Sequence, residues 1–106
     1  MSDKTTINLN YMPEMLNETV YSQFAGQVQA LMWQLYDAGM DIPMSLIGRP
    51  TQVNSFMRAL EKEKRYLDSY IDNGLTDDRT LMNKHNLMDA VKKFEQETGL
   101  RWPFKN

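Results

Sequence analysis

Hydrophobic positions along the chain change spacing from two residues to three or four and back again. In residues 5–11, Ile7, Leu9 and Tyr11 alternate with Thr6, Asn8 and Asn10, which is the period of a half-buried strand. Pro13 ends that strand and is placed to open a helix, where its missing N–H costs nothing. Val20, Phe24, Val28, Leu31 and Leu35 then recur every three or four residues as one helical stripe. Tyr21, Ala25, Met32 and Tyr36 widen the stripe, so this helix, expected over about residues 17–38, is buried round much of its circumference. Gly39 supplies a left-handed stop. Residues 42–48 read as a second short strand with Ile42, Met44 and Leu46 on one face, and Pro43 suits a strand start or edge.

After a turn at Gly48-Arg-Pro-Thr51, Pro50 opens a helix carrying Val53, Phe56, Met57, Leu60, Leu67, Tyr70 and Ile71. At Glu63 and Lys64 the stripe lapses, so the middle of this helix, Glu61 to Arg65, is expected to project beyond the core or meet solvent on all sides. The helix stops at Asn73-Gly74. A last helix is expected over roughly residues 84–97, with Asn83 as cap, Leu87, Val91 and Phe94 as stripe, and Gly99 as stop. Leu100, Trp102 and Phe104 alternate in a closing tail whose burial is worth several kcal/mol at roughly 25 cal/mol per Å². The tail is therefore expected to dock, with Trp102 against the first helix or a neighbouring subunit.

The order strand, helix, strand, helix, helix implies an α+β fold: a predominantly helical single domain over residues 1–106, with three helices and a small two- or three-stranded sheet. If the strands pair side by side they must be parallel. Otherwise another chain or the tail completes the sheet. Within that frame, 106 residues suffice for one core, and 42% hydrophobic with 25% charged excludes a disordered chain. Without cysteine there is no disulfide, thiolate metal site or cysteine nucleophile, and a single histidine excludes a His-only metal site within one chain. No cofactor is expected. Twelve basic against fourteen acidic residues give no global field for a polyanion. The halves nonetheless differ: residues 1–48 hold one basic and five acidic residues, residues 49–106 eleven and nine, which suits acidic-to-basic contacts. No run spans a bilayer and the first residues lack a signal-peptide pattern, so a cytoplasmic location is expected.

Several constellations carry possible binding chemistry, each beside a plainer reading. Arg58, Lys62 and Arg65 stand at i, i+4 and i+7 with Tyr66 in reach, a stripe able to hold phosphates or an acidic partner. The plainer reading is a solvated helix face, with Glu61 pairing Arg65. Gly48, Arg49 and Thr51 at a helix entry form either an anion pocket or an ordinary turn. Trp33 lies off the stripe and either packs under the N-terminal strand or marks an interface. His85 has Asp89 at i+4 but no nucleophile, which favours a surface role. Asp77 and Asp78 read as a turn and helix-entry device, and the nine methionines mainly as core, the alternative being an adaptable binding surface with Met12 and Met15 beside the N-terminal break. No constellation is arranged for catalysis, so the chain reads as a non-enzyme.

Three stretches resemble small uncharacterised proteins of T4-like tailed bacteriophages: Ser45-Leu-Ile-Gly-Arg-Pro-Thr-Gln-Val-Asn-Ser-Phe-Met-Arg-Ala-Leu60 with Glu63-Lys-Arg-Tyr66 in the order Glu63, Lys64, Arg65, Tyr66; residues 74–80; and residues 94–105. The resemblance implies a setting, a phage-infected bacterial cytoplasm, and carries over no functional residue. It suggests a binding protein that modulates or inhibits a host factor or defence system. The expected partners are further copies of the chain and a host protein, acting through Arg49, Arg58, Lys62, Arg65, Tyr66 and Trp33. The alternative is a nucleotide or nucleic-acid binder that uses the basic helix face. No membrane partner is expected.

Overall fold

The computed structural model describes residues 5–38 and 44–104. Strand β1 (Thr5–Asn8) leads through a 3-10 turn at Pro13–Met15 into helix α1 (Glu18–Ala38). Strand β2 (Met44–Ile47) follows, and then helices α2 (Pro50–Asn73) and α3 (Asp78–Thr98). The two strands pair in parallel, Thr5 opposite Met44 and Asn8 opposite Ile47, and the N–H of Leu9 extends the ladder to the Ile47 carbonyl at 2.7 Å. A two-stranded sheet therefore forms within the chain, without the tail. Ile7 and Leu9 are buried and Tyr11 half-buried, as the alternation requires. Gly48 follows β2 because the chain passes close here: an added Cβ would lie 2.9 Å from Gln52 Oε1 and 3.2 Å from Leu9 Cβ.

Helix α1 begins where Asn17 Oδ1 accepts from the Val20 N–H at 3.0 Å. Phe24, Val28, Leu31 and Leu35 are buried and Val20 half-buried. Over residues 18–35 burial covers less of the circumference than expected: beyond Met32 and half-buried Tyr21 and Ala25, the outward side is open to solvent, and the Tyr36 side chain lies outside the described residues. The proposed stop at Gly39, Ile42 of the second strand, and Met40 lie outside the described residues. Methionines contribute less to the core than expected, since Met12, Met15, Met82 and Met88 are exposed.

Helices α2 and α3 form an antiparallel hairpin. At its base, buried Gln52 accepts from the Arg49 N–H at 2.8 Å and donates to the Glu97 carbonyl at 3.4 Å. Toward its tip, Ser69 and Thr80 hydroxyls meet at 3.0 Å. Helix α3 starts six residues before the expected Lys84, and Asn83 lies inside it rather than capping it. Asp77 is the cap: its Oδ1 accepts from the Arg79 N–H at 2.9 Å and its carboxylate from the Arg79 guanidinium at 3.0 and 3.1 Å. A cap followed by Thr80 and exposed Leu81 and Met82 leaves the first turn of α3 without an apolar stripe, and periodicity alone passed over it. Gly99 ends α3 with φ of +76°, the left-handed conformation that favours glycine.

Those bonds from Arg79 hold the Asp77 carboxyl below the usual carboxylate range. A group whose pKa is lower in the folded than in the unfolded state stabilises the fold above its unfolded value, and the stabilisation is lost as pH falls through the folded one. The thermal midpoint should therefore decline on acidification below about pH 4. Asp77→Asn, which keeps the capping oxygen but cannot titrate, should make that decline shallower. An identical acid limb in the variant would show that the cap is not coupled to stability.

The core is aromatic. Phe24 and Phe94 stack at 5.7 Å between centroids, and Phe56 tilts against Phe94 at 5.9 Å. The tail closes over them, with the Trp102 ring 5.2 Å from Phe94 and 6.0 Å from Phe56. Leu100 and Trp102 are buried and Phe104 half-buried, so the tail docks as expected. The Trp102 ring meets the rings of α2 and α3. Helix α1 also meets the tail: Arg101 pairs with Glu18 at 2.9 Å and stacks on the Tyr21 ring at 4.2 Å, and Phe104 shares a groove with Met32 and Trp33.

The largest departure from expectation is Glu63. It is 6% exposed, and its carboxylate accepts from the Trp102 indole N–H at 2.8 Å. The lapse in the α2 stripe is therefore a buried position built for the tail, while Glu61, Lys62 and Lys64 are half-buried beside it. The middle of α2 does not project into solvent. A carboxylate is tolerated in the interior when it is hydrogen-bonded, and the indole N–H needs an acceptor once the ring is buried.

Candidate functional site

Two open grooves flank α2. The first lies between α1 and α2, has a volume of about 560 Å³, and is lined mainly by apolar side chains: Met32, Trp33, Leu67, Ile71 and Phe104, with Gln29 and Glu63. Trp33 dominates it at 74% exposure. Nine residues separate Trp33 from Phe24, about 180° round a helix at roughly 100° per residue, so core packing through Phe24 directs the indole away from the interior. Trp33 does not pack under the N-terminal strand.

The second groove, of about 800 Å³, lies between α2 and α3 and gathers Arg58, Lys62 and Lys93 with Thr51, Asn54, Glu61 and Asp89. Helical spacing puts Arg58 and Lys62 one turn apart on the same side of α2. Among the described residues neither meets a carboxylate within ion-pair distance, whereas Lys93 pairs with Glu97 at 2.9 Å. Arg65 does not join them: it turns to Glu61 at 3.0 Å, the pair expected from sequence. Tyr66 is half-buried and lines neither groove. The stripe read as three cations and an aromatic is, in the fold, two cations of α2 and one of α3.

Arg49 stands at the N-cap of α2, apart from both grooves. Of the anion pocket and the ordinary turn weighed there, the turn's features are present: Pro50 opens α2 and Gln52 Oε1 accepts from the Arg49 N–H. Lys93 holds the Glu97 carboxyl below its usual value, with smaller contributions from a Thr51 hydrogen bond and the Arg49 charge.

His85 lies within α3, exposed, 3.6 Å from Asp89. No cluster of three or more metal-ligating side chains occurs among the described residues, and none of their helices is long and apolar enough to cross a membrane. Sequence reasoning missed Lys93, Phe104 and Glu63 as groove residues. Glu63 had a signal: it sits three residues after Leu60 and four before Leu67, in phase with the apolar stripe, and a Trp in the tail needs an acceptor. The comparisons return no match for this chain, either to a protein-family model, a curated protein or a solved structure.

Proposed function

We propose that the chain is a non-catalytic binding protein that works through protein contacts, self-associating and engaging a host protein in the cytoplasm of a phage-infected bacterium. The observation that supports this reading is Trp33: a large aromatic side chain, 74% exposed, standing over an apolar groove. Trp is the residue most enriched where binding energy concentrates at interfaces, and an exposed apolar patch rimmed by polar residues marks an interaction surface. The resemblance to T4-like phage proteins supplies the setting, and modulation of a host factor or defence system is the role that fits it. The test is affinity capture from infected host lysate with the full chain, Trp33→Ala, and the double variant Arg58→Ala, Lys62→Ala. The wild type should retain a host protein that one variant loses at an unchanged thermal midpoint. Capture of nothing specific, or equal capture by all three chains, would remove the reading.

A second reading, nucleotide or nucleic-acid binding, is favoured by Arg58 and Lys62 in the α2–α3 groove, which meet no carboxylate within ion-pair distance among the described residues. Glu61 and Asp89 in the same groove weigh against a polyanion. Titration of a labelled oligonucleotide and of free nucleotides separates the two readings. Two phosphate contacts give a log–log salt slope of about −2, which the double variant should flatten.

A further inference from the structure

The outward side of α1 has an unusual composition for a solvated helix face. Between Glu18 and Asp37 the sequence has no charged residue, although 25% of the chain is charged. The exposed positions there are glutamines, small residues and Trp33. Interface centres are depleted in charge and enriched in Trp, whereas faces that serve solubility carry charges of both signs.

We propose that this face and the groove beside it receive a second copy of the chain in a twofold pair, each Trp33 entering the other copy's groove. The proposal rests on the reading that the chain works through protein contacts, and it names the partner of the Trp33 surface. Charge supports a second copy. A twofold contact sets each patch against itself, so an exposed charge near the axis would face its own sign. The described lining of the groove has one carboxylate, Glu63, which is 6% exposed, and the outward side of α1 has no charge between its ends. A different protein would gain nothing from charge complementarity here.

Shape and size agree. The patch holds both a projection and a recess, as a self-complementary surface must. A cavity of about 150 Å³ holds a benzene-sized ring, so a groove of about 560 Å³ admits an indole. A standard interface takes about 800 Å² of accessible surface from each partner. The uncharged length of α1, about 27 Å, with a width of one helix diameter, about 11 Å, projects to roughly 300 Å². Accessible surface exceeds its projection and the groove beside α1 adds to it, which places the pair at the small end of specific interfaces.

Light scattering on the full chain, joined to iodide quenching of its two tryptophans, tests the proposal. Trp102 is 5% exposed and serves as an internal control. On concentration, the mass should rise toward twice the 12.4 kDa of one chain, and the quenchable fraction of Trp33 should disappear. Trp33→Ala should return the mass to one chain. Ala30→Glu, at an exposed position that the fold does not use, should do the same by placing like charges across the axis. A single-chain mass for the wild type up to roughly 0.5 mM, where even weak pairing would show, overturns the inference. So does a pair that survives both variants, since another surface such as the sheet edge then makes it. A single-chain mass with Trp33-dependent host capture removes this inference, together with the self-association in the functional reading, and keeps the host binding. A Trp33-dependent pair without host capture does the reverse.

Discussion

Truncation after Gly99 is expected to destabilise the protein by more than about 5 kcal/mol, enough to leave it unfolded or loosely packed. The removed segment carries Leu100 and Trp102, 1% and 5% exposed, and burial of such side chains is individually worth about 2–5 kcal/mol on truncation to alanine. The tail also satisfies polar groups. Trp102 donates its indole N–H to Glu63 and its backbone N–H to Glu95 Oε2 at 2.9 Å, and the Leu100 N–H reaches Thr98 Oγ1 at 3.1 Å. A domain of this size holds about 5–15 kcal/mol in total, so loss of the tail consumes most of it. Urea titration of the truncated chain measures the effect, and an unchanged midpoint would show that the tail is an accessory. Glu63 offers a finer test of the same contact. Glu63→Gln keeps an acceptor for the indole N–H, whereas Glu63→Leu strands it at a cost of about 1–3 kcal/mol. Equal midpoints for these two variants would mean that the hydrogen bond contributes nothing.

Phe94→Ala should cost about 3–5 kcal/mol, the upper range for large-to-small changes. Phe94 is the centre of the core: it is fully buried and touches Phe24, Phe56 and Trp102, so α1, α2, α3 and the tail all lose a contact at once. The cavity is bounded by rings on three elements and cannot collapse by moving one of them. Phe24→Ala removes a ring from one side only and should fall at the lower end of the same range. Thermal or denaturant unfolding of both variants checks the order as well as the size. A loss below about 1 kcal/mol at Phe94 would mean that the rings do not form a single core.

Much of this architecture was legible in the order of residues, because local periodicity reports which face of an element is buried. Ile7, Leu9 and Tyr11 marked β1, the stripe from Val20 to Leu35 marked α1, and Gly74 and Gly99 marked the ends of α2 and α3. That the two strands would be parallel if they paired followed from their order, whereas the pairing itself was left open and is decided by the fold. Leu100 and Trp102 announced a docked tail, since so much apolar surface in a short segment is costly in water. The uncharged run through α1 was equally visible, but its meaning depended on knowing which of its residues face outward.

What periodicity could not reach were the contacts between residues far apart in sequence. Glu63 read as a lapse in the stripe because a carboxylate is judged by its own polarity. Its acceptability depends on an indole N–H 39 positions away. Arg58 and Lys62 were seen as a line along one helix, and only the packing of α3 added Lys93 and turned the line into a groove. Sequence determined the elements and their buried faces, because those depend on spacing within a few residues. Tertiary structure alone decided which polar groups meet, because a buried charge or an open groove is set by what the other elements bring to it.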